Sequence, residues 1–204
     1  MKATHIASLV AAGLLAVTGA AHADTYGNTN PFETQSSHSP NFVLGVRVNI
    51  PVNGFTVTSF GMMYGHENFT PNTSNAIFGL YTSDGNGLPQ TLVAVTNPIN
   101  LNAQQTYDNI AFTSTPTINS GTYWMMALYE SLASPRMGLQ DPNSLVAYWS
   151  NPYANGMPAT APAITTYTGQ NFNYWINGSV VPAPGALAAF GVMGLLGVRR
   201  RRSN

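Results

Sequence analysis

The chain has 204 residues, no cysteine and a formal charge of zero at pH 7, with 7% charged and 11% aromatic residues. The lack of cysteine excludes a disulfide framework and leaves stability to a hydrophobic core. The zero balance hides a segregation: Lys2, Arg199, Arg200, Arg201 and Arg202 lie at the two ends, so the stretch between them sets Arg47 and Arg136 against seven acids, about −5. Such a stretch is unsuited to phosphate backbones, and nucleic acid is excluded as a partner.

Residues 1–23 have the form of a secretory signal peptide. Lys2 supplies the positive start, residues 6–21 the apolar core, and Ala21-His22-Ala23 a small-x-small cleavage site with Ala21 and Ala23 as the small residues. Residues 24–40 carry no periodicity and read as an extended N-terminal segment, with an edge strand as one option. About 155 residues remain between signal and tail, enough for one domain with a real core and not comfortably enough for two.

Residues 41–180 read as a β-domain. Phe42, Leu44, Val46, Val48 and Ile50 alternate with Val43, Gly45, Arg47 and Asn49, which predicts a strand over 42–50 ended by Pro51. Asn53-Gly54 signals a turn. In the next strand, over 54–63, Phe55 and Val57 give way to Phe60 and Met62, a change of phase that predicts a bulge at Ser59. Further strands are expected at 76–82, 91–95, 107–113, 122–129, 145–149, 164–168 and 172–176. Short strands with frequent turn signals and no crossover helices predict an all-β fold, a single jelly-roll-like β-sandwich.

The tail, residues 181–204, has three parts. Val181, Pro182, Ala183 and Pro184 form a Pro-bounded motif, residues 185–198 are uncharged and apolar, and Arg199, Arg200, Arg201 and Arg202 follow. Counted from Val180 to Val198, a helix rising about 1.5 Å per residue reaches roughly 28 Å, close to the roughly 30 Å hydrocarbon core. A transmembrane helix is therefore expected, with the arginines held cytoplasmic and everything upstream outside. Lipid-anchor signals end in their apolar tract rather than in arginines, which sets that alternative aside.

This motif, helix and basic cluster resemble the PEP-CTERM sorting signal of Gram-negative bacteria, in a VPAP variant with Ala183 where the usual motif has Glu. The resemblance implies an exosortase-type sorting peptidase as partner, passage through the inner membrane, and delivery to the cell surface or exopolysaccharide matrix. Two pieces of the body, LYTSDGNGLPQTLVA (80–94) and INSGTYWMMAL (118–128), resemble the paired signatures of extracellular β-sandwich domains of the "choice-of-anchor" type. That likeness implies a fold and no enzymatic activity.

Chemistry-bearing residues are few. Asp84 and Asn86 in SDGNG have the alternation of a calcium loop, with Asp108 and Asp141 as further ligands, but the bidentate Glu of an EF-hand is missing and a Gly-rich hairpin turn reads as well. His38 and His66 lack partners at metal-binding spacing, and His66-Glu67 is no zinc signature. No G-x-S-x-G elbow occurs, and Glu67 with Glu130 could be the paired carboxylates of a glycosidase, as any two acids in a fold could. No cofactor is expected. Aromatics crowd the second half. Alternation sends Tyr123, Met125 and Tyr129 to one face and Trp124, Met126 and Leu128 to the other. Trp124, Trp149 and Trp175 could stack on sugar rings if solvent-facing, or fill a β-core if not. The expected function is that of an exported, non-catalytic surface or matrix protein; a carbohydrate-binding module is the alternative, and a secreted hydrolase would need a convergent acid pair or triad.

Overall fold

A computed structural model describes residues 22–180, which fall within the compact unit Ala21–Val181. The strands are β1 (His22–Gly27), β2 (Thr34–Gln35), β3 (Phe42–Ile50), β4 (Phe55–Tyr64), β5 (Ser74–Ser83), β6 (Pro89–Val95) and β7 (Ile99–Leu101). They continue with β8 (Gln105–Ala111), β9 (Thr117–Ile118), β10 (Gly121–Tyr129), β11 (Arg136–Ser150), β12 (Thr165–Phe172) and β13 (Tyr174–Val180). The one helical piece among the described residues is a 3₁₀ turn, Tyr153–Asn155. No helix among them is long and apolar enough to cross a membrane. Ala21, Val181, Pro182, Ala183, Pro184, the four terminal arginines, the signal-peptide helix expected within 1–23 and the expected transmembrane helix of the tail lie outside the described residues.

All strand pairing is antiparallel, in two sheets. The smaller runs β1-β13-β4-β8 with β9 beside β4; the larger runs β12-β11-β3-β10-β5-β6 with β2 and β7 at its margins. One face of each sheet contributes to a common core, so the fold is all-β and sandwich-like. Leu44, Val46, Phe78, Leu80 and Met125 come from the larger sheet, and Phe55, Phe60, Met62, Tyr174 and Ile176 from the smaller. Rings dominate the middle: Phe60 stacks on Phe78 at 4.5 Å and Phe172 on Tyr174 at 5.3 Å. The Tyr129 and Tyr174 hydroxyls, both buried, hydrogen-bond each other at 2.7 Å.

The alternation of β3 appears as read, over the same residues. The phase change in β4 is a bulge. Ser59 pairs with Asn177 and Val57 with Gly178, so Thr58 is the extra residue, one position from the expected place. It lets Phe55 and Val57 on one side and Phe60 and Met62 on the other all reach the core. The chain's last third departs from expectation. β11 begins at Arg136 rather than 145, and β12 and β13 are displaced toward the C-terminus relative to the expected 164–168 and 172–176. Irregular pairing of β11 with β12 around Asp141 breaks the period-2 pattern there, so periodicity could not mark the strand.

A second apolar layer lies on the far face of the larger sheet. Val43, Tyr81, Trp124, Met126, Leu128, Ala147 and Trp149 point away from the shared core. Residues 151–164, between β11 and β12, cross over them as a strap and add Tyr153, Met157, Ala161 and Ile164. Asn41, in a left-handed conformation (φ 61), holds one end: its carbonyl accepts from Asn151 N and its Oδ1 from Tyr153 N, both at 2.8 Å. At the other end Leu92 N donates to Ala159 O, Ala161 N to Gln90 O, and Tyr81 OH to Pro158 O at 2.6 Å.

Candidate functional site

The three tryptophans are separated and covered. Trp124 and Trp149 belong to the layer beneath the strap, at 0% and 3% exposure, with Tyr81 edge-on to Trp149 at 5.7 Å. Trp175 is 3% exposed on the outer face of the smaller sheet, where its ring lies against Gly61 and its N–H donates to Asp108 Oδ1 at 2.9 Å. A solvent-facing indole row for sugar stacking is therefore not formed at these positions. Both faces of β10 are buried: Met125, Ala127 and Tyr129 against the other sheet, Trp124, Met126 and Leu128 against the strap. The sequence signal for this was its apolar residues on both faces, which demand cover on both.

Asp84 closes a turn. Its Oδ1 accepts from Asn86 N at 2.9 Å and Leu88 N at 2.8 Å, its own N–H donates to Leu88 O, and Gly87 N returns to its carbonyl. Gly87 takes φ 80, the left-handed region that glycine enters without a Cβ penalty. With one Asp84 oxygen held by two amides and Asp108 capping Trp175, these acids do not converge as calcium ligands; Asp141's side chain lies outside the described residues. Among the described residues no three His, Asp or Glu side chains gather to hold a metal.

The histidines are structural in their surroundings. His66 is buried, accepts from Asn68 N at Nδ1 (3.3 Å) and packs against Phe69. The His38 ring meets the Tyr129 ring edge-on at 5.5 Å, with Nε2 shut away from solvent and unpartnered. Burial lowers its pKa to about 4, so it is neutral at physiological pH. Glu130 accepts from Asn75 Nδ2 at 2.6 Å, and Glu67 is exposed in the turn beside His66.

Where the strap's cover ends, the outer face of the larger sheet turns polar. Along β3 the outward positions run Val43, Gly45, Arg47, Asn49, and Arg47 and Asn49 are exposed. Trp124 pairs with Arg47 and Thr122 with Asn49. Two adjoining depressions share Arg47 and Thr122. One, of about 290 Å³, reaches Ser144, Leu145 and Asn171; the other, of about 530 Å³, reaches Thr82, Ser83, Asp84 and Tyr123. Ser83 Oγ, in the second, is closed off from solvent without a hydrogen-bond partner. Among the described residues the one ion pair is His22–Asp24, so Arg47 has no acidic partner there. Such a cleft can present a guanidinium fork with hydroxyl and amide groups around it. Sequence reading placed Arg47 and Asn49 on the polar face of β3 but gave no sign that β5, β11 and β12 would wall that face. No protein-family model, no curated protein and no solved structure matches the chain.

Proposed function

We propose that this chain is an exported, non-catalytic component of a bacterial cell surface or extracellular polysaccharide matrix. In this reading the signal peptide is removed after Ala23, and the body is a single jelly-roll-like sandwich. The tail's Val181-Pro182-Ala183-Pro184 motif is then read by an exosortase-type peptidase while its helix and arginines hold it in the inner membrane. The observation that carries the reading is where the fold closes. β1 and β13 pair side by side, His22 with Val180 and Ala23 with Ser179, and β13 ends one residue before the motif. His22 and Ala23 are exposed at a sheet edge, so cutting after Ala23 removes two edge residues and no core side chain. Both processing points thus flank a body that keeps its core after both cuts.

The test is intact mass spectrometry of the protein from its native host, fraction by fraction. A species beginning at Asp24 and ending within 182–184, in the envelope or medium, is the expected result. A species keeping Arg199 to Arg202 in the inner membrane would mean a permanent anchor and would overturn sorting. The second reading, a carbohydrate-binding module, is favoured by the Arg47 cleft rather than by the tryptophans.

A further inference from the structure

We propose that the cleft around Arg47 binds an acidic polysaccharide, the guanidinium taking the carboxylate of a uronic-acid unit. Arg47 is exposed on β3 and is shared by two depressions of about 290 and 530 Å³. A body of about −5 carries two arginines, and Arg136 donates through Nε to the Phe32 carbonyl, whereas Arg47 has no acidic partner among the described residues. A guanidinium without an acidic partner among the described residues keeps its planar fork for an external carboxylate, which it grips through two parallel N–H bonds.

The surroundings decide what carries that carboxylate. Asn49, Thr82 and Thr122 offer short, uncharged donors and acceptors in the two depressions that Arg47 joins. Asp84, the one acid among the described lining residues, has an oxygen held by the Asn86 and Leu88 amides and makes no ion pair with Arg47. One cation ringed by hydroxyl and amide groups suits a polyol bearing sparse negative charge, and a densely charged phosphate chain would meet too few cations. The choice of a saccharide over other carboxylates rests on the export reading; the cleft itself does not.

The experiment uses the full chain in mild non-ionic detergent, titrated calorimetrically at low salt with oligomers of galacturonate, mannuronate and glucuronate. The methyl ester of each oligomer and free acetate are measured alongside. At least one free-acid oligomer is expected to bind, with affinity falling roughly tenfold or more on esterification or in Arg47→Gln, and less in Arg47→Lys. Equal binding of acid and ester, binding unchanged in Arg47→Gln, or no binding of any oligomer overturns the proposal. Acetate competing as well as the oligomer, carboxylate for carboxylate, overturns its saccharide part. Because esterification alters only the ligand, the outcome does not depend on how a variant folds. A correctly sorted species that binds none of the oligomers would remove this inference and leave the export reading standing.

Discussion

The Tyr129–Tyr174 contact allows a sharp test of the core. The two hydroxyls lie 2.7 Å apart, both side chains are fully buried, and neither oxygen has another hydrogen-bond partner among the described residues. Burial raises both phenol pKa values well above 10, so both stay neutral across the working range and the bond joins two uncharged groups. Tyr129→Phe or Tyr174→Phe removes one hydroxyl and leaves its partner without water or acceptor, an expected cost of about 1–3 kcal/mol. The rings keep their packing, Tyr174 against Phe60 and Phe172 and Tyr129 against Phe78. In the double variant no orphan remains, so its cost should lie well below the sum of the singles, with a coupling of about 1–2 kcal/mol. Urea unfolding followed by tryptophan fluorescence reads this, since all three indoles are buried. A domain of this size should lose about 2–4 °C of melting temperature per kcal/mol. Additive costs, agreeing within about 0.5 kcal/mol, would show that the hydroxyls do not depend on each other and would refute the reasoning.

Two further outcomes follow from the same packing. His38 is held neutral in the fold with a pKa near 4 against 6.5 for the free group, so the unfolded chain takes up its proton first. Stability should fall as pH drops from 6.5 toward 4, by at most about 3 kcal/mol, and level off for this group below that. The difference in urea midpoint between wild type and His38→Phe, followed against pH, isolates this contribution; a difference independent of pH would sink it. At Gly61 a Cβ would stand 2.0 Å from Trp175 Nε1, so Gly61→Ala must displace the indole and break its bond to Asp108. The expected cost is about 2 kcal/mol or more, with a red-shifted emission from the uncovered ring; Asp108→Asn, which keeps an acceptor, should be far milder.

The legible parts of this protein were those written in local pattern. β3 was readable residue by residue because one of its faces is uniformly apolar over nine positions. The phase change that marked the β4 bulge was likewise local. β1 and β2 sit in a stretch without alternation, where edge pairing holds the chain and side-chain burial is slight. The tryptophans stayed open between sugar stacking and a β-core for a different reason, and their burial decides for the core. Alternation set Trp124 on the face opposite Tyr123, Met125 and Tyr129 without saying which face is covered, and a strap arriving from 151–164 makes the Trp124 face an interior too. The strap has no periodicity of its own; it is held by Asn41 at one end and by Tyr81, Gln90 and Leu92 at the other.

The sequence by itself determined the class of fold, the segregation of charge to the two ends and the absence of disulfides, because composition and near-neighbour periodicity set these. Tertiary structure alone decided which aromatics are covered, that Asp108 serves Trp175 and Asp84 a turn, and that Arg47 stands in a walled polar cleft. Each of these is a relation between residues distant in the chain: 67 positions separate Trp175 from Asp108, and 77 separate Tyr81 from Pro158. Local propensity contains no term for such pairs; they exist only once two sheets and a strap have closed around them.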